Sequence, residues 1–234
     1  MFARRFPGRS GADLTIEIGS NIPAATGAVP QPGRVAYFGL IAPAKGIEAF
    51  LDLCELARAA ASSLTFELIG AIPDRHRRYA ETIMQRAAVC GVQLSIDLSN
   101  ENAARRLAAS AIAYLPFPDG ATGKRGTLAA ALVNKLIVIT RHSSLTPDWI
   151  RSATFDAKTP EESLALVMRL SANPQQREEA ARRSLSTAAR FRWQIIAQRH
   201  RELYRQLLGR QADPQRDPAP LPSPLAAGAA RLAS

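Results

Sequence analysis

Cysteine is nearly missing from this sequence: Cys54 and Cys90 are the only two in 234 residues. Two thiols build neither a disulfide framework nor, by themselves, a metal site. Histidine is just as scarce. His76, His142 and His200 stand far apart with no glutamate or cysteine at ligand spacing, so no metal is expected. No apolar run approaches the roughly 18 residues of a membrane span. The basic start Met1-Phe-Ala-Arg-Arg-Phe-Pro7 leads into no apolar stretch and reads as no secretory signal. The location these absences imply is cytoplasmic. G-x-G-x-x-G, the P-loop order and a nucleophile elbow are lacking too, which removes the commonest dinucleotide, nucleoside-triphosphate and serine-hydrolase signatures.

Lysine is the next shortage. Only Lys45, Lys124, Lys135 and Lys158 occur among 30 cationic residues. The formal net charge is +10, and much of it is concentrated between Arg177 and Arg210, where nine arginines face three glutamates. Those arginines lack the interleaved aromatics of a single-strand binder, so they read as a solvated face and nucleic acid is not expected as a partner. Peripheral contact with an anionic membrane stays open.

What is present is an alternation of short apolar runs with amphipathic stretches. Strands are expected at Val35–Phe38, Leu64–Ile69, Val92–Ile96, Ala111–Leu115 and Leu136–Ile139, with a weak one at Ala153–Phe155. Between them, helices are expected near 47–54, 74–89, 101–109 and 127–133. That pattern predicts an α/β fold with a doubly wound, Rossmann-like parallel sheet covered on both faces: a single domain plus C-terminal helices. Helices near 160–170, 174–188 and 193–208 follow, the last carrying a Trp193, Ile196, His200, Leu203, Tyr204, Leu207 stripe. Residues 1–32 read as an N-terminal stub and linker with a strand-like Leu14–Ile18. Residues 33–192 read as the Rossmann-like domain, 193–209 as a C-terminal helix and 210–234 as a disordered tail.

Ligands of such a sheet bind beyond the carboxyl ends of its strands. Two loops there carry anion-binding chemistry. The first runs from Gly39 to Lys45-Gly46, a glycine at a strand end followed by a cation at a helix start. On spacing alone, Lys45 reads equally well as a solvated side chain. The second holds Asp119-Gly120 and then Gly123-Lys124-Arg125-Gly126-Thr127, glycines and paired cations opening directly onto a helix. A flexible surface loop is the alternative. His142, just past a strand end, is a weaker candidate for touching a ligand.

In this order, Ile18-Gly-Ser-Asn-Ile-Pro23, Val35-Ala-Tyr-Phe-Gly39 with Lys45-Gly46, Phe66-Glu-Leu-Ile-Gly70, the 116–127 loop and Phe191-Arg-Trp193 resemble the C-terminal half of a two-domain (GT-B) glycosyltransferase, group 1/family 4 type. The resemblance covers roughly residues 14 to 208. It implies a nucleotide-sugar donor used as substrate, with no separate cofactor. It also implies that Gly39, Lys45, Gly123, Lys124, Arg125, Gly126 and Thr127 face the donor diphosphate, and that Asp119, Gly120 and His142 lie near the sugar or nucleotide. Leu40 stands where the family has an arginine, and Ala121 and Ala129 where it has two glutamates. The resemblance leads to the expectation that this segment is a fragment or truncated form lacking the family's acceptor domain of about 150 to 200 residues. The implied function is therefore a donor-binding half, inactive without an N-terminal acceptor half, onto which the 193–209 helix crosses in relatives. The alternatives are a non-catalytic nucleotide- or partner-binding module and a basic surface binder.

Overall fold

Each apolar run becomes a strand in the computed structural model, which describes residues 16–207. The strands are β1 (Gln31–Leu40), β2 (Thr65–Ala71), β3 (Gln93–Ile96), β4 (Ser110–Leu115), β5 (Ile137–Thr140) and β6 (Thr154–Asp156). All pair in parallel, in the order β3-β2-β1-β4-β5-β6. The chain thus winds outward from β1 to β3 and resumes on the other side at β4. The point where the winding reverses lies between β1 and β4, where a doubly wound sheet opens a crevice.

The helices are α1 (Ile47–Ala59), α2 (Arg77–Val89), α3 (Asn100–Ala108), α4 (Gly126–Val133), α5 (Asp148–Ala153), α6 (Pro160–Ala172), α7 (Pro174–Ala188) and α8 (Trp193–Leu207). Their starts follow local rules. Ser99 accepts from the Asn102 amide to cap α3, and Thr159 accepts from the Glu162 amide to cap α6. Glu162 in turn accepts from the Lys158 amide at 2.7 Å. Pro160 and Pro174 open α6 and α7, where a missing amide proton costs no helical bond.

Strand alternation sorts the core into two layers. Val35, Tyr37, Ile112, Tyr114, Ile137 and Ile139 point to one face, against Phe50 and Leu53 of α1 and Val167 of α6. Ala36, Ala113, Leu115 and Val138 point to the other, against Leu107 of α3 and Leu128 and Leu132 of α4. A fully buried leucine, isoleucine or phenylalanine contributes about 1.5 to 3 kcal/mol, so both layers hold the sheet. The alanines of α4, all buried, let this helix lie close to the strands.

The structure corrects the sequence reading in three places. Ile16–Ile18 belong to no strand, and Leu14 and Thr15 lie outside the described residues. Their alternation misleads because Glu17 turns inward and is only 5% exposed, paired with Arg190 at 3.1 Å and Arg199 at 2.5 Å. β1 begins at Gln31, before the expected boundary at 33, because Gln31 pairs with Ser110 of β4. The six-residue α5 was not expected at all. The expected stub over residues 1–15 and tail over 210–234 lie outside the described residues.

Residues 16–199 form one body, and from His200 the last turns of α8 belong to a separate unit in which the His200 and Tyr204 rings lie 6.2 Å apart. Among the described residues no helix is long and apolar enough to cross a membrane.

Candidate functional site

The turn after β1 is built to carry a cation. Ile41 donates to the Ala71 carbonyl at 2.9 Å, which anchors the start of the turn to β2. Its end is Gly46, with φ at 83° and a position where any Cβ would collide with the Pro116 carbonyl oxygen. Only glycine serves there. The close approach brings the first turn against the loop after β4. Lys45, just before Gly46, is exposed.

The second loop braces itself. Gly120, with φ at 91°, donates to Phe117 at 3.0 Å, and Ala121 donates to the Arg141 carbonyl at 2.8 Å. Asp119 forms an ion pair with Arg125, whose guanidinium also lies 4.9 Å from the centre of the Phe117 ring. α4 then starts at Gly126 with no side-chain cap, so the amides of its first turn stay available to an anion.

A third wall comes from residues 18–22. Ile18 donates to the Gly123 carbonyl at 3.5 Å and Ser20 to the Phe191 carbonyl at 3.1 Å. Together the three segments enclose a cavity of about 560 Å³ at the β1–β4 crevice. Gly39, Lys45, Lys124, Arg125, Gly126 and Thr127 all line it. Gly123 is buried behind them, between Glu17 and Trp149. Asp119, Gly120 and His142 do not line the cavity: Asp119 faces Arg125, and Gly120 packs on Ser143.

The charge balance decides what the cavity can hold. Among the described residues neither Lys45 nor Lys124 pairs with a carboxylate, and Arg125 is the one cation of the three already tied to one. Two free ammonium groups beside an uncapped helix start favour a dianion. Ile18, Ile22 and Leu40 add apolar surface to the lining. No group of three or more histidine, cysteine, aspartate or glutamate side chains among the described residues could hold a metal ion.

His142 is held elsewhere. Its Nε2 lies 2.8 Å from the Thr154 hydroxyl, and its amide donates to Asp156 at 2.8 Å. Burial lowers its pKa below the ordinary 6.5, against the opposing pull of Asp156. The folded chain therefore binds this proton less tightly than the unfolded chain. The stability it contributes is fully present above pH 6.5 and is lost as pH falls through the lower folded value. Urea unfolding across pH 5 to 8 is expected to show this decline, and His142→Asn is expected to flatten it.

Sequence reasoning missed the 18–22 wall, Tyr37 and the Glu17 ion pair. Glu17 left a signal, as a lone carboxylate inside an apolar stretch. Among the nine C-terminal arginines of the sequence, Arg182 and Arg183 are paired with Glu178 and Glu179, and Arg190 and Arg199 with Glu17.

No protein-family profile matches the chain, and no curated protein does. Solved structures do match its fold. One is the C-terminal domain of a glycosyl transferase group 1 family protein (LpcC) from Francisella tularensis, at TM-score 0.56 and 17% identity, over 72% of this chain and 94% of that one. Another is the pneumococcal O-GlcNAc transferase GtfA in complex with UDP and GlcNAc, at TM-score 0.62 and 15% identity, over 89% of this chain and 42% of that one. A third is HepE from Anabaena in complex with UDP and glucose, at TM-score 0.62 and 15% identity, over 75% of this chain and 49% of that one. The chain thus spans less than half the length of the last two. At these identities the likeness is one of fold: that of the C-terminal half of a GT-B glycosyltransferase.

Proposed function

We propose that this chain is the donor-binding half of a glycosyltransferase, which takes a nucleoside-diphosphate sugar and acts on an acceptor only together with an acceptor-binding half. The observation that carries this reading is the pair of unneutralised lysines, one from each loop of the β1–β4 crevice, facing one cavity beside the start of α4. Two structural neighbours, GtfA and HepE, are complexes with UDP and a sugar, which supports a nucleotide-sugar ligand. In the assembled enzyme the breaking glycosidic bond leaves its electron pair on the nucleoside diphosphate. Lys45, Lys124 and the α4 amides stabilise that charge, and their pull is strongest when the site is closed from water.

Calorimetric titration with UDP and with uridine tests this. UDP is expected to bind saturably and more weakly at higher salt, with uridine at least about tenfold weaker, since it lacks the group the cations hold. Equal affinity for the two, or no binding by a folded sample, overturns the reading.

The Asp119–Arg125 pair adds a sharper expectation. A diphosphate drawing on Arg125 must compete with Asp119, whose side chain is 74% exposed. Asp119→Asn is therefore expected to tighten UDP binding by about two- to fivefold, within the range of an exposed ion pair. Unchanged affinity would place Arg125 outside the anion site.

A second reading, nucleotide binding without transfer, is favoured by one observation. Ala121 and Ala129 are fully buried, so the positions where the resemblance places two glutamates offer only methyl groups. It predicts that UDP-sugars bind as tightly as UDP yet are neither hydrolysed nor transferred when an acceptor half is supplied.

A further inference from the structure

Tyr37 is a buried polar side chain that the anion chemistry above leaves unused. It lies on β1, 3% exposed, its ring tilted against Phe50 with 5.5 Å between centroids. Its hydroxyl donates a 3.0 Å hydrogen bond to the carbonyl oxygen of Lys45, eight residues on. The backbone on either side of Lys45 is left-handed, with φ at 59° for Ala44 and 83° for Gly46. Glycine takes that conformation freely, whereas alanine is disfavoured there by its Cβ. Ala44 keeps it because its surroundings hold it. Ile41 is anchored to Ala71 at one end of the turn, and α1 begins at the other with Phe50 donating to Gly46 at 3.2 Å. Between those anchors, the Tyr37 hydroxyl is the bond given to the backbone of Lys45 itself.

We propose that Tyr37 is a positioning residue for Lys45, its hydroxyl holding the strained turn so that the ammonium group is presented to the cavity where the donor diphosphate binds. The inference rests on the donor-site reading above and deepens it, assigning a role through Lys45 to a residue that is 3% exposed and borders the same cavity. Without the bond, Ala44 can relax out of the left-handed region and carry the Lys45 side chain with it. The cation then samples many directions before a ligand arrives, and that ordering cost weakens binding. Burial pushes the phenol far above its ordinary range, so it remains a donor throughout the neutral range.

The test is a double-mutant cycle read by calorimetric titration with UDP, on wild type, Tyr37→Phe, Lys45→Ala and the double variant. Tyr37→Phe is expected to weaken UDP about fivefold, as for the loss of one preorganising hydrogen bond. The double variant is expected to bind no more weakly than Lys45→Ala alone, because Tyr37 acts only through that ammonium. A merely structural role predicts instead that the losses multiply, and that result overturns the proposal. Should Tyr37→Phe unfold at the assay temperature, Ala44→Val, at an exposed position, adds strain to the same left-handed turn without touching the core. That variant is expected to weaken UDP about twofold, as residue 44 leaves the left-handed region and carries Lys45 with it, and to have no effect in the Lys45→Ala background. Wild-type affinity in Tyr37→Phe or Ala44→Val, with Lys45→Ala weakened, overturns the positioning role and leaves the donor site standing. Wild-type affinity in Lys45→Ala overturns the donor-site reading itself.

Discussion

Replacing Glu67 by alanine is expected to cost about 3 to 5 kcal/mol of folding stability, the largest single-residue effect on stability expected here. Glu67 sits on β2 with no exposed surface. Its carboxylate pairs with Arg34 of β1 and with Arg106 of α3, and accepts from the Ser95 hydroxyl of β3 at 2.6 Å. These partners come from three elements, and Glu67 itself from a fourth, so the carboxylate ties the β1–β2–β3 side of the sheet to α3. Truncation removes the anion and leaves Arg34, whose side chain is 12% exposed, without a counter-charge. A stranded buried charge is costly in a way that a removed pair is not. In a body of this size the melting temperature is expected to fall by about 10 °C or more. The triple replacement Arg34→Met, Glu67→Leu, Arg106→Leu strands no charge and is expected to recover most of the loss. Urea and thermal unfolding measure both. A loss below about 1 kcal/mol for Glu67→Ala would mean the cluster behaves as an exposed ion pair.

The largest effect on binding is expected from the two lysines. Each contributes a charge-assisted contact to a phosphate group, of the kind worth about 1.5 to 3 kcal/mol. Lys45→Ala and Lys124→Ala are each expected to weaken UDP by about tenfold or more, and together by about a hundredfold. The two side chains come from different loops, so their losses are expected to multiply, in contrast to the Tyr37–Lys45 pair. Both lysines are exposed and lie outside the core, so the melting temperature is expected to stay within about 2 °C of wild type. The slope of log affinity against log salt is expected to shrink with each lysine removed, as for any anion site that draws on mobile cations. A double variant that binds UDP within about threefold of wild type would remove both residues from the site.

Much of the sheet was legible because its strands are buried on both faces. Runs such as Ala111–Leu115 and Ile137–Ile139 need no partner to be read, since parallel strands covered by helices tolerate few polar residues. The amino-terminal end of β1 was hidden by Pro32 and Gly33, which read as breakers but sit where the strand has barely joined its neighbours. α5 was hidden by its length: six residues give too little periodicity to register.

The candidate site was legible in its two loops and illegible in its third wall. Glycines at strand ends and lysines in an arginine-rich sequence are local signals, and the winding order alone places Lys45 and Lys124 at one crevice. Nothing local in Ile18–Ile22 says that this segment lies against Gly123 and Phe191. That arrangement is a tertiary consequence of Glu17 reaching Arg190 and Arg199, residues more than 170 positions away. Asp119 has a partner hidden for a similar reason. Its position beside a glycine suggested a ligand contact, whereas its charge is taken up by Arg125 within the same loop.

The most direct measurement is a map of backbone amide shifts on the isotope-labelled chain as UDP is added. If the diphosphate binds at the β1–β4 crevice, saturable shifts appear at Gly39, Lys45 and Gly46 and at Lys124 through Leu128, with the amides around His142 and at the Glu67 cluster unmoved. Shifts centred anywhere else on the sheet, or none at saturating UDP in a folded sample, would contradict that placement.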